Sequence, residues 1–272
     1  MALRPVQVNI KALDPSAVGR FWAQALGWTA HSPGVTTYVA PGPGPLPGSA
    51  ADPLPGSAAD PEPRSEPGDT LVWPDPVAVG IDVVPVPEPK SPTKNRVHLD
   101  LATTSPAHQA ELTARLEALG ATPVHVGQGA VPWTVLADPE GNEFCVLEPR
   151  EVYRDTGPIA AIVVDCADPR AMARFWDAAL EWTLHEVSDD YARFRSAQGV
   201  GPYVEFIRTP DVKTVPDRVH LDLLPHAGDD KEAEVSRLRA LGATDLDLGQ
   251  GSVPWTCLAD SEGHEFCVLA LH

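Results

Sequence analysis

The chain has 272 residues, 43% of them hydrophobic, and a formal net charge of −18. That is enough apolar material for one large core or two ordinary ones, so global disorder is excluded. So acidic a balance argues against a nucleic-acid backbone or an anionic membrane surface as partner. It suits a cationic or neutral small molecule.

The opening MALRPVQVNIKALDP lacks the apolar core of a signal peptide, and no run reaches transmembrane length. Within it, Val6, Val8 and Ile10 alternate with Gln7, Asn9 and Lys11, the pattern of a strand with one apolar face. Asp14-Pro15 reads as a helix cap followed by proline at the first helical position. Phe21, Trp22, Ala25 and Leu26 supply an apolar stripe, and Gly27 a stop. Short strands follow, interrupted at about 41–70 by a Pro/Gly-rich insertion in which PLPGSAAD occurs twice in succession. This composition cannot build a core, so a solvated loop is expected, serving as a linker or as a lid. The strand RVHLDLA comes next, then a helix from Ser105-Pro106 through Leu112, Leu116 and Leu119 to Gly120. Strands near 122–126, 131–137 and 143–149 complete the segment.

The pattern then repeats. LDPSAVGRFWAQALGWTAH matches ADPRAMARFWDAALEWTLH, and RVHLDL and LGAT recur. GQGAVPWTVLADPEGNEFCVL matches GQGSVPWTCLADSEGHEFCVL. Asp14 aligns with Asp168 and His98 with His220, and the offset falls between them by about 32 residues, the length of the insertion. Two homologous domains are expected, 1–150 and 157–272, forming an intramolecular pseudo-dimer. Each reads as α+β: two βαβββ modules making a cupped mixed sheet, with helices on the outer face and the other face curved around a groove.

In VHLDL, alternation turns Val97, Leu99 and Leu101 toward the helices and leaves Arg96, His98 and Asp100 on the concave side. Arg218, His220 and Asp222 repeat this in the second domain. Trp133 and Trp255, each after Val-Pro, are candidates to line the groove, where aromatic rings beside acidic groups suit a flat, cationic or amphipathic ligand. Cys145 and Cys267 hold the same place in the last strand of each repeat, with Glu143 two residues before Cys145. The four cysteines, these two with Cys166 and Cys257, form no CxxC pair, so reduced thiols and a cytoplasmic protein are expected.

Together, DP…FW…LGW, RVHLDL, LGAT and W-x-x-LADPEGNEF resemble the vicinal oxygen chelate superfamily, in its glyoxalase-like and bleomycin-resistance-protein branch. The resemblance spans both repeats. It implies a divalent metal held by a His or Gln on the first strand, a His on the fifth and a Glu on the last. The matching positions are Gln7, His98 and Cys145 in the first repeat and Ala161, His220 and Cys267 in the second. The carboxylate is replaced in both, and amide, imidazole and thiol together suit a hard cation poorly. The leading expectation is therefore a binding protein for a small molecule, without metal or other cofactor. The alternative is a metal-dependent lyase, isomerase or dioxygenase using Gln7 and His98 of the first domain.

Overall fold

In the computed structural model, which describes residues 3–32, 34–41, 79–249, 251 and 253–270, the alternating opening becomes strand β1 (Arg4–Ala12). Asp14 caps helix α1 (Pro15–Leu26) by accepting from the Ala17 amide at 2.9 Å, and Gly27, at φ 69°, ends it in the left-handed region. Strands β2 (Thr29–His31), β3 (Thr37–Ala40) and β4 (Gly80–Pro85) close the first module. The insertion expected at about 41–70 lies, from 42 onward, outside the described residues.

The second module is β5 (Val97–Leu101), α2 (Pro106–Ala118), β6 (Thr122–Pro123), β7 (Thr134–Ala137) and β8 (Glu143–Val146). Its last three strands are shorter than the sequence suggests. Positive φ at Gly127 and Gly129 breaks the stretch between β6 and β7 into turns. A single 3-10 turn (Glu151–Tyr153) leads into the third module: β9 (Ile159–Cys166), α3 (Pro169–Ala179), β10 (Thr183–Val187), β11 (Tyr191–Arg195) and β12 (Tyr203–Arg208). The fourth is β13 (Val219–Leu224), α4 (Lys231–Ala240), β14 (Thr244–Asp245), β15 (Thr256–Ala259) and β16 (Glu265–Val268). No helix among the described residues is long and apolar enough to cross a membrane.

The modules assemble into two eight-stranded mixed sheets, β14-β15-β16-β13-β1-β4-β3-β2 and β10-β11-β12-β9-β5-β8-β7-β6. Each sheet thus holds two βαβββ modules, as expected, but one comes from each repeat. β1 pairs antiparallel with β13, matching Gln7 to Asp222 and Asn9 to His220. β9 pairs antiparallel with β5, matching Asp100 to Ala161 and His98 to Val163.

The repeats hold together through their helices and turns. Trp22 of α1 packs edge-on against Phe144 of β8, ring centroids 5.1 Å apart, and its indole donates to Asp138 (3.3 Å) in the ADPEGN turn. Arg115 of α2 donates to the Gln24 and Ala25 carbonyls (3.2 and 3.0 Å) at the C-terminal end of α1, where a cation offsets the unsatisfied carbonyls. Trp176, Phe266 and Asp260 repeat the first arrangement in the second repeat. Val8, Ile10, Val97, Leu99, Leu101, Val219, Leu221 and Leu223 are buried in this shared core, on the faces that the alternation assigned.

Asp138 is a junction. Besides the Trp22 indole it accepts from the Glu140 and Asn142 amides at 2.9 Å each, and burial pushes its carboxyl up despite these bonds. Asp138→Ala removes the acceptor of the Trp22 indole, of the Glu140 and Asn142 backbone amides and of the Asn142 side-chain amide, and is expected to cost roughly 2–3 kcal/mol. Urea unfolding measures this, and a loss below about 0.5 kcal/mol would contradict the assignment.

Candidate functional site

Strand exchange decides which polar residues meet. On the concave face of the first sheet, β1 presents Gln7, Asn9 and Lys11, β4 Asp82, β13 His220 and Asp222, and β15 and β16 Cys257 and Cys267. All line one cavity of about 780 Å³. Val84, Val86, Leu269 and the exposed Trp255 give it apolar walls.

Two carboxylates dominate its floor. The Gln7 amide donates to Asp222 at 2.8 Å and to Asp82 at 3.4 Å, and Asn9 donates to Asp222 at 3.4 Å. Neither carboxylate has a Lys or Arg ion-pair partner within 4.0 Å among the described residues. Lys11, on the same wall, gives its ammonium to the Asp217 carbonyl (2.9 Å). Burial, and then the Asp222 charge, push the Asp82 carboxyl up to about 7, with His220 opposing. Burial also raises the nearby Tyr38 phenol to about 12, aided by Asp82. Among the described residues Asn9 Oδ1, His220 Nδ1 and Asp222 Oδ1 are buried without a hydrogen-bond partner, as are the equivalent His98 Nδ1 and Asp100 Oδ1 of the second sheet.

Sulfur completes the wall. His220 Nε2 lies 3.3 Å from Asp222 Oδ1 and 3.5 Å from Cys267 Sγ, and Cys267 Sγ lies 3.2 Å from Cys257 Sγ. The two thiols lie in hydrogen-bonding contact, which brings Cys257 down to about 7 and, with burial, pushes Cys267 up.

The second sheet has the same frame with different contents. Ala161 and Val163 stand where the first sheet has Gln7 and Asn9, and His98, Asp100 and Cys145 sit opposite them, with His98 Nε2 3.4 Å from Asp100 Oδ1. Tyr153, from the 3-10 turn between the repeats, fills the hollow. Its ring packs edge-on to Tyr203 (6.0 Å) beside Cys145, Leu147, Ala161 and Val163, with Trp133 against this cluster. Its hydroxyl donates to Glu205 at 3.2 Å, in the place corresponding to Asp82. Burial first, and then Glu205, push the Tyr153 phenol up. Burial raises the Glu205 carboxyl to about 7 against Arg193. Burial, with Asp100, pushes Cys145 up as well, which holds it as a thiol and speaks against a nucleophile there.

The model of the glyoxalase-like domain matches residues 7–147 and again 161–269. The chain belongs to this family. No curated protein matches it. Glyoxalase I from Zea mays has a similar structure at 13% identity and a TM-score of 0.54, over 98% of this chain and 92% of that one. A putative dioxygenase from Bacillus subtilis is similar at 12% identity and a TM-score of 0.55, over 98% and 86%. At such identities the likeness speaks for the glyoxalase-like fold alone.

Within that fold the sets expected from each repeat are corrected. Gln7 meets His220, Asp222 and Cys267, and is separated from His98 and Cys145, because β1 lies beside β13. His98, Asp100 and Cys145 instead face Ala161. Three other expected groove residues are engaged elsewhere. Arg96 bonds the Asp165 carbonyl (3.2 Å), Arg218 the Glu88 carbonyl (2.7 Å) and Glu140 (3.2 Å), and Glu143 takes Lys90 at 3.0 Å and the Asn95 amide at 3.2 Å. The expected groove set lacks Asp82, Glu205 and Tyr153, and Cys257 figures in it only as one of the four reduced thiols. Asp82 and Glu205 had a signal, each a lone carboxylate in an apolar strand, GIDVVP and YVEFIR.

The Asp82 shift has a measurable consequence. The folded protein holds this proton more tightly than the unfolded chain, so the group favours the fold below the ordinary carboxylate pKa. That contribution is lost as pH rises toward about 7. Asp82→Asn is expected to gain on the order of 2 kcal/mol relative to the parent between about pH 5 and about pH 8. Urea midpoints at the two pH values test this, and an unchanged pH dependence would contradict it.

Proposed function

We propose that this glyoxalase-like protein binds a small organic cation, amphipathic or aromatic, in the cavity of the first sheet. The carrying observation is the pair of carboxylates, buried Asp222 and half-buried Asp82, facing a roomy cavity with no Lys or Arg ion-pair partner among the described residues. A ligand ammonium set between them supplies the missing charge, and Trp255, Val84, Val86 and Leu269 cover its apolar part. The second cup contributes architecture, its hollow filled by Tyr153.

Thermal shift against a panel of organic cations and matched neutral analogues tests this reading. A cation at a hundred times its Kd stabilises the fold by about 2.7 kcal/mol. No response to any cation, or an equal response to the neutral analogues, contradicts it.

One observation favours a second reading. Ligand atoms of His220, Asp222 and Cys267 lie within 4.8 Å of one another, as do those of His98, Asp100 and Cys145 in the filled cup, and only the first set faces the open cavity. Imidazole, carboxylate and thiolate suit zinc better than magnesium, and these three residues would hold such an ion. It would supply Lewis acidity to a substrate oxygen, with Gln7 and Asp82 beside it. This replaces the expected Gln7–His98 site by one around Gln7 and His220. Metal analysis of protein purified without chelator separates the readings: a stoichiometric ion lost in His220→Ala favours this second one.

A further inference from the structure

The cavity wall carries a pair of thiols, of which the cation reading uses neither and the zinc reading only Cys267. Cys257 of β15 and Cys267 of β16 face each other directly in an antiparallel register, both side chains on the concave face, with their Sγ atoms 3.2 Å apart. Directly opposed residues in such a pair have Cα separations of about 4.5–5.5 Å, inside the range of about 4.4–6.8 Å that a disulfide bridges. The strands therefore need no rearrangement, only an approach of the sulfurs from 3.2 Å to the about 2.0 Å of a disulfide. The corresponding place in the second sheet pairs Cys145 with Val135, so the dithiol belongs to the open cup alone.

We propose that Cys257 and Cys267 form a reversible disulfide in the wall of the open groove, made by a hydroperoxide that enters through the cavity. In the first step one thiol sulfur takes an oxygen from the peroxide. The O–O bond breaks, the sulfur becomes a sulfenic acid and, with hydrogen peroxide, one water leaves. In the second step the other thiol attacks that sulfur, the S–S bond forms, and the oxygen departs as a second water with the remaining thiol proton. Two thiols lose two electrons and two protons, and the peroxide gains both. A dithiol reductant reverses the change by exchange. This modification goes beyond ligand binding and does not rest on it.

Hydrogen peroxide applied to the full chain, followed by unfolding, alkylation and mass spectrometry, tests the proposal. The expected product has lost two hydrogens, keeps Cys145 and Cys166 open to alkylation, and regains all four alkylatable thiols after dithiothreitol. Proteolysis after Glu262, between the two cysteines, should leave peptides joined through Cys257 and Cys267. Cys257→Val, which installs the first repeat's residue, abolishes the product. Sulfinic or sulfonic acids at both positions without the linkage overturn the proposal. So does a disulfide that forms equally well to Cys145 or Cys166 in the parent chain.

Discussion

Asp222→Asn is expected to weaken binding of an organic cation by roughly 30- to 1000-fold, the effect of removing a buried charge that faces a charged partner. His98→Ala is expected to leave that affinity within about twofold. The contrast follows from strand order. Asp222 sits opposite Gln7 in β13 and β1, its carboxylate taking both the Gln7 and Asn9 amides, and it lines the cavity. His98 lies in the other sheet, opposite Val163 and beside a hollow that Tyr153 fills. Calorimetric titration of both variants checks the pair. If His98→Ala proved as damaging as Asp222→Asn, the assignment of one working groove would fail.

Tyr153→Ala should be the most destabilising single change in the second cup, at roughly 3–5 kcal/mol. It removes a ring packed against Tyr203, Cys145, Ala161 and Val163, and deprives Glu205 of its phenol donor. Tyr153→Phe keeps the ring and loses only the hydrogen bond, so it should cost about 1 kcal/mol. Urea unfolding distinguishes the two. Equal effects would mean that the hydroxyl, rather than the ring, holds the cup closed.

Much of this architecture was legible in the residues. Alternation in VQVNIKAL and VHLDL told which side chains face the helices, because a strand has period two whatever lies beside it. Asp14-Pro15 and Gly27 marked the first helix through local capping chemistry, and the repeated motifs gave four modules. The neighbour of each module was not legible. β1 can pair with a strand reading VHLDL in either repeat, and both copies offer the same faces and the same register. Choosing between them depends on how Trp22, Phe144 and Arg115 fix the modules of one repeat together, a tertiary matter with no local signature. Tyr153 was hidden for a related reason. It belongs to the connection between repeats, where hydrophobic periodicity carries no information. Asp82 was visible as one carboxylate in an apolar strand, but its significance depends on Asp222 lying two strands away across β1.

The open groove is built jointly by the first module of one repeat and the last module of the other. Calorimetric titration of the full chain with the organic cation selected by the thermal-shift panel measures this most directly, through stoichiometry. One cation per chain is predicted, with binding lost in Asp222→Asn and kept in His98→Ala. Two cations per chain, or one whose binding survives Asp222→Asn and disappears in His98→Ala, would contradict it.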